Sequence, residues 1–237
     1  MSLIKLKRSI IPALDVDTME RAKQIVKQTT GLEGIGAYKV GFELVIRYGL
    51  TNVVSELKKL TKLPIIYDHQ KAGTDIPDTG DKFMKACKEA DVDAVIIFPQ
   101  AGPITEEAWI GAAKKYKIHL IVGGEMTHKG YLESDNGFLK SNTPKRIYQI
   151  AASQGVTDYV VPGNKPDKIK EYREFFENKG IKPIFYSPGL ISQGGSVKES
   201  AEAAGDHWHA IVGRAIYDAS DIRKKAEELI GLIKPEG

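Results

Sequence analysis

The chain reads as an α/β protein, a single (β/α)8 (TIM) barrel spanning residues 1–237, on three observations. Short β-branched runs alternate with segments whose apolar residues recur at helical spacing, the pattern of a parallel sheet with helices on its outer face. There are eight such runs, and 237 residues suit eight strand–helix units. Glycine clusters follow the seventh and eighth runs, where barrels of this kind seat an anion.

The first run, Ser9 to Asp15, leads through a turn without glycine into a helical pattern from Met19 to Gln28. That turn lacks the dinucleotide fingerprint and so counts against one common doubly wound alternative. Ala37 to Val40 precedes a long pattern from Glu43 to Leu60, and Pro64 to His69 precedes Thr79 to Ala90. Ala94 to Pro99 hands over to Thr105 to Tyr116. His119 to Gly123 is followed by a loop, Thr127 to Thr143, that reads either as a flap over a site or as a disordered surface loop. Pro144 to Ser153, Tyr159 to Pro162, Lys168 to Glu177, Pro183 to Ser187 and Ala210 to Val212 continue the alternation, and Ile222 to Leu232 closes it.

Composition narrows the functional classes. Lys and Arg number 34 against 31 Asp and Glu, interspersed and not striped, which argues against a nucleic-acid partner. Cys87 is the only cysteine, so no internal disulfide forms, and a reducing, cytoplasmic setting is expected. Pro12 and Asp15 cut short the apolar run behind Lys5, Lys7 and Arg8, and no segment approaches the roughly 20 apolar residues of a membrane span.

Two places carry chemistry. Asp68, Lys71 and Asp75 crowd the end of the third run, where strand gives way to helix. Lys39 sits between Tyr38 and Val40 in an apolar strand, where an unpaired ammonium is costly to bury, so it is expected to face a functional interior. Asp15 at a strand end and Asp75 near a helix start also suit a turn former and an N-cap. At the other place, Pro188-Gly189 with Gln193-Gly194-Gly195 follows strand seven, and Gly213-Arg214 follows strand eight. Glycines turn backbone N–H groups toward an anion and arginine adds a bidentate charge, so a phosphate site is expected there; the bland role for Arg214 is a pair with Asp218. His69 and His128 belong to no metal-ligand spacing, and neither a metal nor a cofactor is expected.

Taken together, Ala13-Leu14-Asp15-Val16, Lys39-Val40, Asp75-Ile76-Pro77, Glu125-Met126-Thr127-His128, the Gln193 loop and Val212-Gly213-Arg214-Ala215-Ile216-Tyr217 resemble the blocks of the orotidine 5′-phosphate decarboxylase family, in order and nearly end to end. The last two blocks are shared by several phosphosugar barrels. The resemblance implies cofactor-free decarboxylation of a nucleotide in a homodimer whose sites are completed across the interface. It implies that Asp15 and Lys39 hold ribose hydroxyls, with Lys39, Asp68, Lys71 and Asp75 forming a charged array. Lys71 would stabilise and protonate the carbanion, and Asp75 and Thr79 would enter the neighbouring subunit's site. Thr127 would meet the pyrimidine, and Pro188, Gln193, Gly194, Gly213 and Arg214 would surround the phosphate.

The family's D-x-K-x-x-D here reads D-x-x-K-x-x-x-D. Residues three apart in a regular strand point to opposite faces, so either a bulge at His69 or Gln70 restores the register or Lys71 reaches back from a loop beyond the strand. The residues themselves leave two other readings open: a different phosphosugar lyase or decarboxylase on the same barrel, and a noncatalytic nucleotide-binding protein.

Overall fold

The structure is a computed structural model that describes residues 2–69 and 72–233. Its elements run β1 (Arg8–Pro12), α1 (Met19–Thr29), β2 (Tyr38–Gly41), α2 (Phe42–Tyr48), α3 (Leu50–Lys58), β3 (Ile65–Asp68), α4 (Thr79–Glu89), β4 (Ala94–Ile97) and α5 (Pro103–Tyr116). They continue with β5 (His119–Gly123), α6 (Thr143–Ser153), β6 (Asp158–Val160), α7 (Pro166–Glu177), β7 (Ile184–Ser187), α8 (Val197–Ala204), β8 (Trp208–Val212), α9 (Arg214–Tyr217) and α10 (Ile222–Ile233). All eight strands are parallel, ordered β1-β8-β7-β6-β5-β4-β3-β2. Parallel bridges from Ile10 to Ile35 and from Ala13 to Lys39 bring β1 back beside β2, so the sheet curls into the expected barrel.

The alternation of side chains along each strand builds two apolar layers. Tyr38, Val40, Ile65, Tyr67, Val95 and Ile97 pack outward against the helices. Ile11, Ala13, Ile66, Ala94, Ile96, Ile121, Val160 and Ile211 fill the barrel, with Ile4 of the N-terminal segment in the same cluster. Lys39 shares the inward parity of Ile66, its register partner, and Asp68 lies two residues further along on the same face.

Three departures from the sequence reading have local causes. The long pattern from Glu43 to Leu60 is two helices broken at Gly49, whose φ of +75° no helix interior accommodates. Two short helices, α8 and α9, lie between the phosphate-loop glycines and the chain's last helix, each too short to show a period. The loop after β5 is built: Leu132 bridges Leu139, Tyr131 and Leu132 are buried, and the Tyr131 hydroxyl donates to Gly124 O at 3.2 Å while accepting from Gln100 Nε2 at 2.9 Å.

Candidate active site at the C-terminal mouth

One cavity of about 710 Å³ opens at the C-terminal ends of the strands. On its β1–β3 wall, Lys39 Nζ lies 2.9 Å from Asp15 Oδ1, 3.1 Å from Asp15 Oδ2 and 3.3 Å from Asp68 Oδ2, with only 4% of its side chain exposed. Burial works against the ammonium, but the two carboxylates outweigh it and raise the lysine above its ordinary value. Gly41 makes this approach possible: a Cβ there would sit 2.6 Å from Asp15 Oδ1, so a side chain at that position displaces the carboxylate from the lysine. Asp15 is thus an ion-pair partner on the cavity wall, where the sequence left a turn former open.

The loops after β7 and β8 bring to the same cavity the residues expected to seat an anion. Pro188, Gly189, Gln193, Gly213 and Arg214 line the same cavity, and Thr127 and Met126 stand beside them. Among the described residues Arg214 makes no ion pair with Asp218, which lies four residues on, at the end of α9. Gly194 is not on the wall; its amide donates to Ile191 O at 3.0 Å and so shapes the turn that presents Gln193.

Two expected residues stand apart. Asp75 is exposed, accepts from Ile76 N at 2.7 Å and does not line the cavity, and Thr79 donates its hydroxyl to Ile76 O at 2.7 Å. Asp75 is not an N-cap either, because α4 starts at Thr79 after Asp78. Lys71 lies outside the described residues. Up to His69 the strand alternates regularly: Asp68 faces in with Lys39, while Tyr67 and His69 contact each other and both pack on Phe83. Regular pairing of β3 ends at Asp68, three positions before Lys71, and Gln70, the other bulge position, also lies outside the described residues.

Several wall residues escaped the sequence reading. Ile96, Phe98, Val160 and Ile211 add apolar surface to the cavity, and Asn164, Lys129 and Tyr217 line it as well. Phe98 depends on Gly123, since its ring fills the space a side chain at that position would take. A glycine closing a β-rich run was the available signal. Among the described residues no group of three or more His, Cys, Asp or Glu side chains is placed to hold a metal ion.

A parallel eight-stranded barrel whose C-terminal cavity is lined by a buried lysine between two carboxylates and by glycine and arginine loops after β7 and β8 has the arrangement of a barrel enzyme. The chain belongs to the orotidine 5′-phosphate decarboxylase / HUMPS family, whose profile matches residues 8–229. It is 32% identical to the orotidine 5′-phosphate decarboxylase of Methanosphaera stadtmanae over 231 residues, covering 98% of this chain and 100% of that one. It is 35% identical to the enzyme of the same name from Pyrococcus abyssi over 227 residues, 96% of this chain and 100% of the relative. Among solved structures, orotidine 5′-monophosphate decarboxylase from Methanocaldococcus jannaschii, complexed with the inhibitor BMP, superposes with a TM-score of 0.83 at 28% identity, covering 96% of this chain and 99% of that one. The decarboxylase from Pyrococcus horikoshii gives 0.77 at 29% identity, with 94% and 98% covered.

Proposed function

We propose that this chain decarboxylates orotidine 5′-phosphate to uridine 5′-phosphate, the last step of de novo pyrimidine synthesis, without a cofactor. One observation carries the reading beyond family membership: the buried Lys39, held between Asp15 and Asp68, and the Gln193 and Arg214 loops line a single cavity. A nucleotide spans such a cavity with its phosphate at one end and its reacting ring at the other.

In the chemical step the bond from C6 to the carboxylate breaks, carbon dioxide leaves, and the electron pair stays on C6. No neighbouring carbonyl accepts that pair, so fixed positive charge must stabilise it. Lys71 is the residue assigned to this: its ammonium stabilises the carbanion, donates a proton to C6 and is reprotonated from water. Asp68, three residues before Lys71 in the chain, belongs with Asp15 and Lys39 to a group that carries one net negative charge, and neighbouring carboxylates keep an ammonium protonated. Asp15 and Lys39 hold ribose hydroxyls, Asp68 sits beside the departing carboxylate, and Thr127 meets the pyrimidine. Pro188, Gln193, Gly213 and Arg214 bind the phosphate, whose binding energy holds the ring in place.

The reading includes a cytoplasmic homodimer in which Asp75 and Thr79 enter the neighbouring subunit's cavity. In support, both lie outside their own cavity, and Ile76 and Ile104 beside them are 60% and 72% exposed. Among the described residues no helix is long and apolar enough to cross a membrane.

The direct test mixes purified protein with orotidine 5′-phosphate and follows its ultraviolet absorbance. Conversion to uridine 5′-phosphate, undiminished by a chelator, is expected. Protein that binds uridine 5′-phosphate yet leaves orotidine 5′-phosphate unconsumed would sink the proposal.

A further inference from the structure

We infer that Lys165, with its neighbour Asn164, is a positioning residue that holds Thr127 against the base, and that the turn Gly163-Asn164-Lys165 after β6 is a strut between the two ends of the site. The inference rests on the assignment of Thr127 to the pyrimidine. Glu125, two residues before Thr127, has a side chain only 2% exposed, and its carboxylate accepts from Lys165 Nζ at 2.7 Å and from the Tyr172 hydroxyl of α7. Lys165 Nζ also donates to Met126 O at 3.2 Å, and Asn164 Nδ2 donates to Thr127 O at 3.0 Å. Three successive residues, Glu125 to Thr127, are therefore each held by one turn of chain.

The same turn is fixed on its other side to the anion end. Gly163 N donates to Pro188 O at 2.8 Å, and Gly163 O accepts from Ser200 Oγ of α8 at 2.6 Å. The strut thus ties the pyrimidine-side segment to the segment that opens the phosphate loop. A buried carboxylate whose cationic partner is removed is costly to leave in place, so loss of Lys165 should displace Glu125 and the residues after it. Displacements of about 1 Å at a binding group are enough to matter to a bound reactant.

The prediction separates base from phosphate. In calorimetric titrations of the full chain, Lys165→Met is expected to weaken uridine 5′-phosphate at least fivefold while leaving ribose 5-phosphate, which lacks the base, within twofold of wild type. Lys165→Arg, which keeps a cation for Glu125, should restore uridine 5′-phosphate binding. A merely structural role would weaken both ligands alike, and that result, or unchanged affinity for both, would overturn the inference. Should Lys165→Met fail to fold, Asn164→Ala, which removes the hydrogen bond to Thr127 O together with one cavity-lining side chain, must show the same selective loss of the base-bearing ligand. These are binding measurements, so failure of wild type to consume orotidine 5′-phosphate would count against the proposed reaction and leave this comparison standing.

Discussion

The barrel interior buries polar groups at both ends, and the two clusters are finished differently. At the mouth, Lys39 lies between Asp15 and Asp68 on the wall of an open cavity. At the floor, where the strands begin, Asp158 accepts from the Tyr186 hydroxyl at 2.9 Å and from Thr157 Oγ1 at 2.7 Å. His119 Nε2 lies 3.0 Å from the same carboxylate, not aligned for a hydrogen bond. His209 pairs with Ser9 Oγ at 2.8 Å and packs its ring on Tyr186. Burial opposes the charge on Asp158, but His119, Thr157 and Tyr186 outweigh it and hold the carboxyl below its usual range. The floor is closed by the protein's own donors, whereas the mouth sets its charged residues on the wall of a cavity. Access, more than the number of buried charges, marks the end that does chemistry.

That contrast is broken or sharpened first at Lys71. Lys71→Ala is expected to lower kcat by at least about 10³-fold, as removal of a fixed charge from a transition state does, while uridine 5′-phosphate binding stays measurable. Single-turnover kinetics beside a product titration reads both, and wild-type kcat in the variant would move the chemistry away from this end of the strand.

Arg214→Ala tests the loop after β8 on the same cavity. Losing a charge-assisted grip on phosphate should cost roughly 2–3 kcal/mol, seen mainly in KM. A loss confined to kcat would mean that the phosphate is seated elsewhere.

Subunit mixing asks whether the mouth is completed by a second copy. Inactive Lys71→Ala and inactive Asp75→Asn proteins, unfolded and refolded together in equal amounts, should recover about a quarter of wild-type activity, because half the dimers are hybrids with one intact site of two. No recovery, with hybrids confirmed by mass, would place Asp75 outside the neighbouring site.

Much of the mouth was legible because strand parity is written locally. Tyr38-Lys39-Val40 could bury its lysine only toward the barrel interior, and the glycine loops after strands seven and eight belong on the cavity by their place in the chain. The floor was silent for the opposite reason. Ser9, His119, Asp158 and His209 are scattered over 200 residues of chain, and only closure of the barrel brings them together. The same holds for Glu125 with Lys165 and for Phe98 over Gly123, which are partnerships between strands. The role given to Asp75 and Thr79 rests on the family resemblance alone, since neither lines the cavity of its own chain.

Least is expected at the floor, where substitution should change stability and leave kcat alone. Burial, together with the nearby His207 and against the pull of Asp158, pushes His209 down to about 4 from an ordinary value near 6.5. A base whose folded value is depressed contributes stability that is complete above the unfolded value and is lost as pH falls through the folded one. His209 should therefore cost the fold roughly 3 kcal/mol as pH drops from about 6.5 to about 4. His209→Asn, unable to take up a proton, should be less stable than wild type at pH 7, having lost the imidazole packed on Tyr186, yet show a flatter fall in urea midpoint across that window. His209 does not line the cavity, so kcat of the folded variant at pH 7 should match wild type within about twofold. A variant whose midpoint tracks wild type down to pH 4 would show that the floor's histidine is not the acid-sensitive element, and a large loss of kcat would show that the two ends of the barrel are coupled.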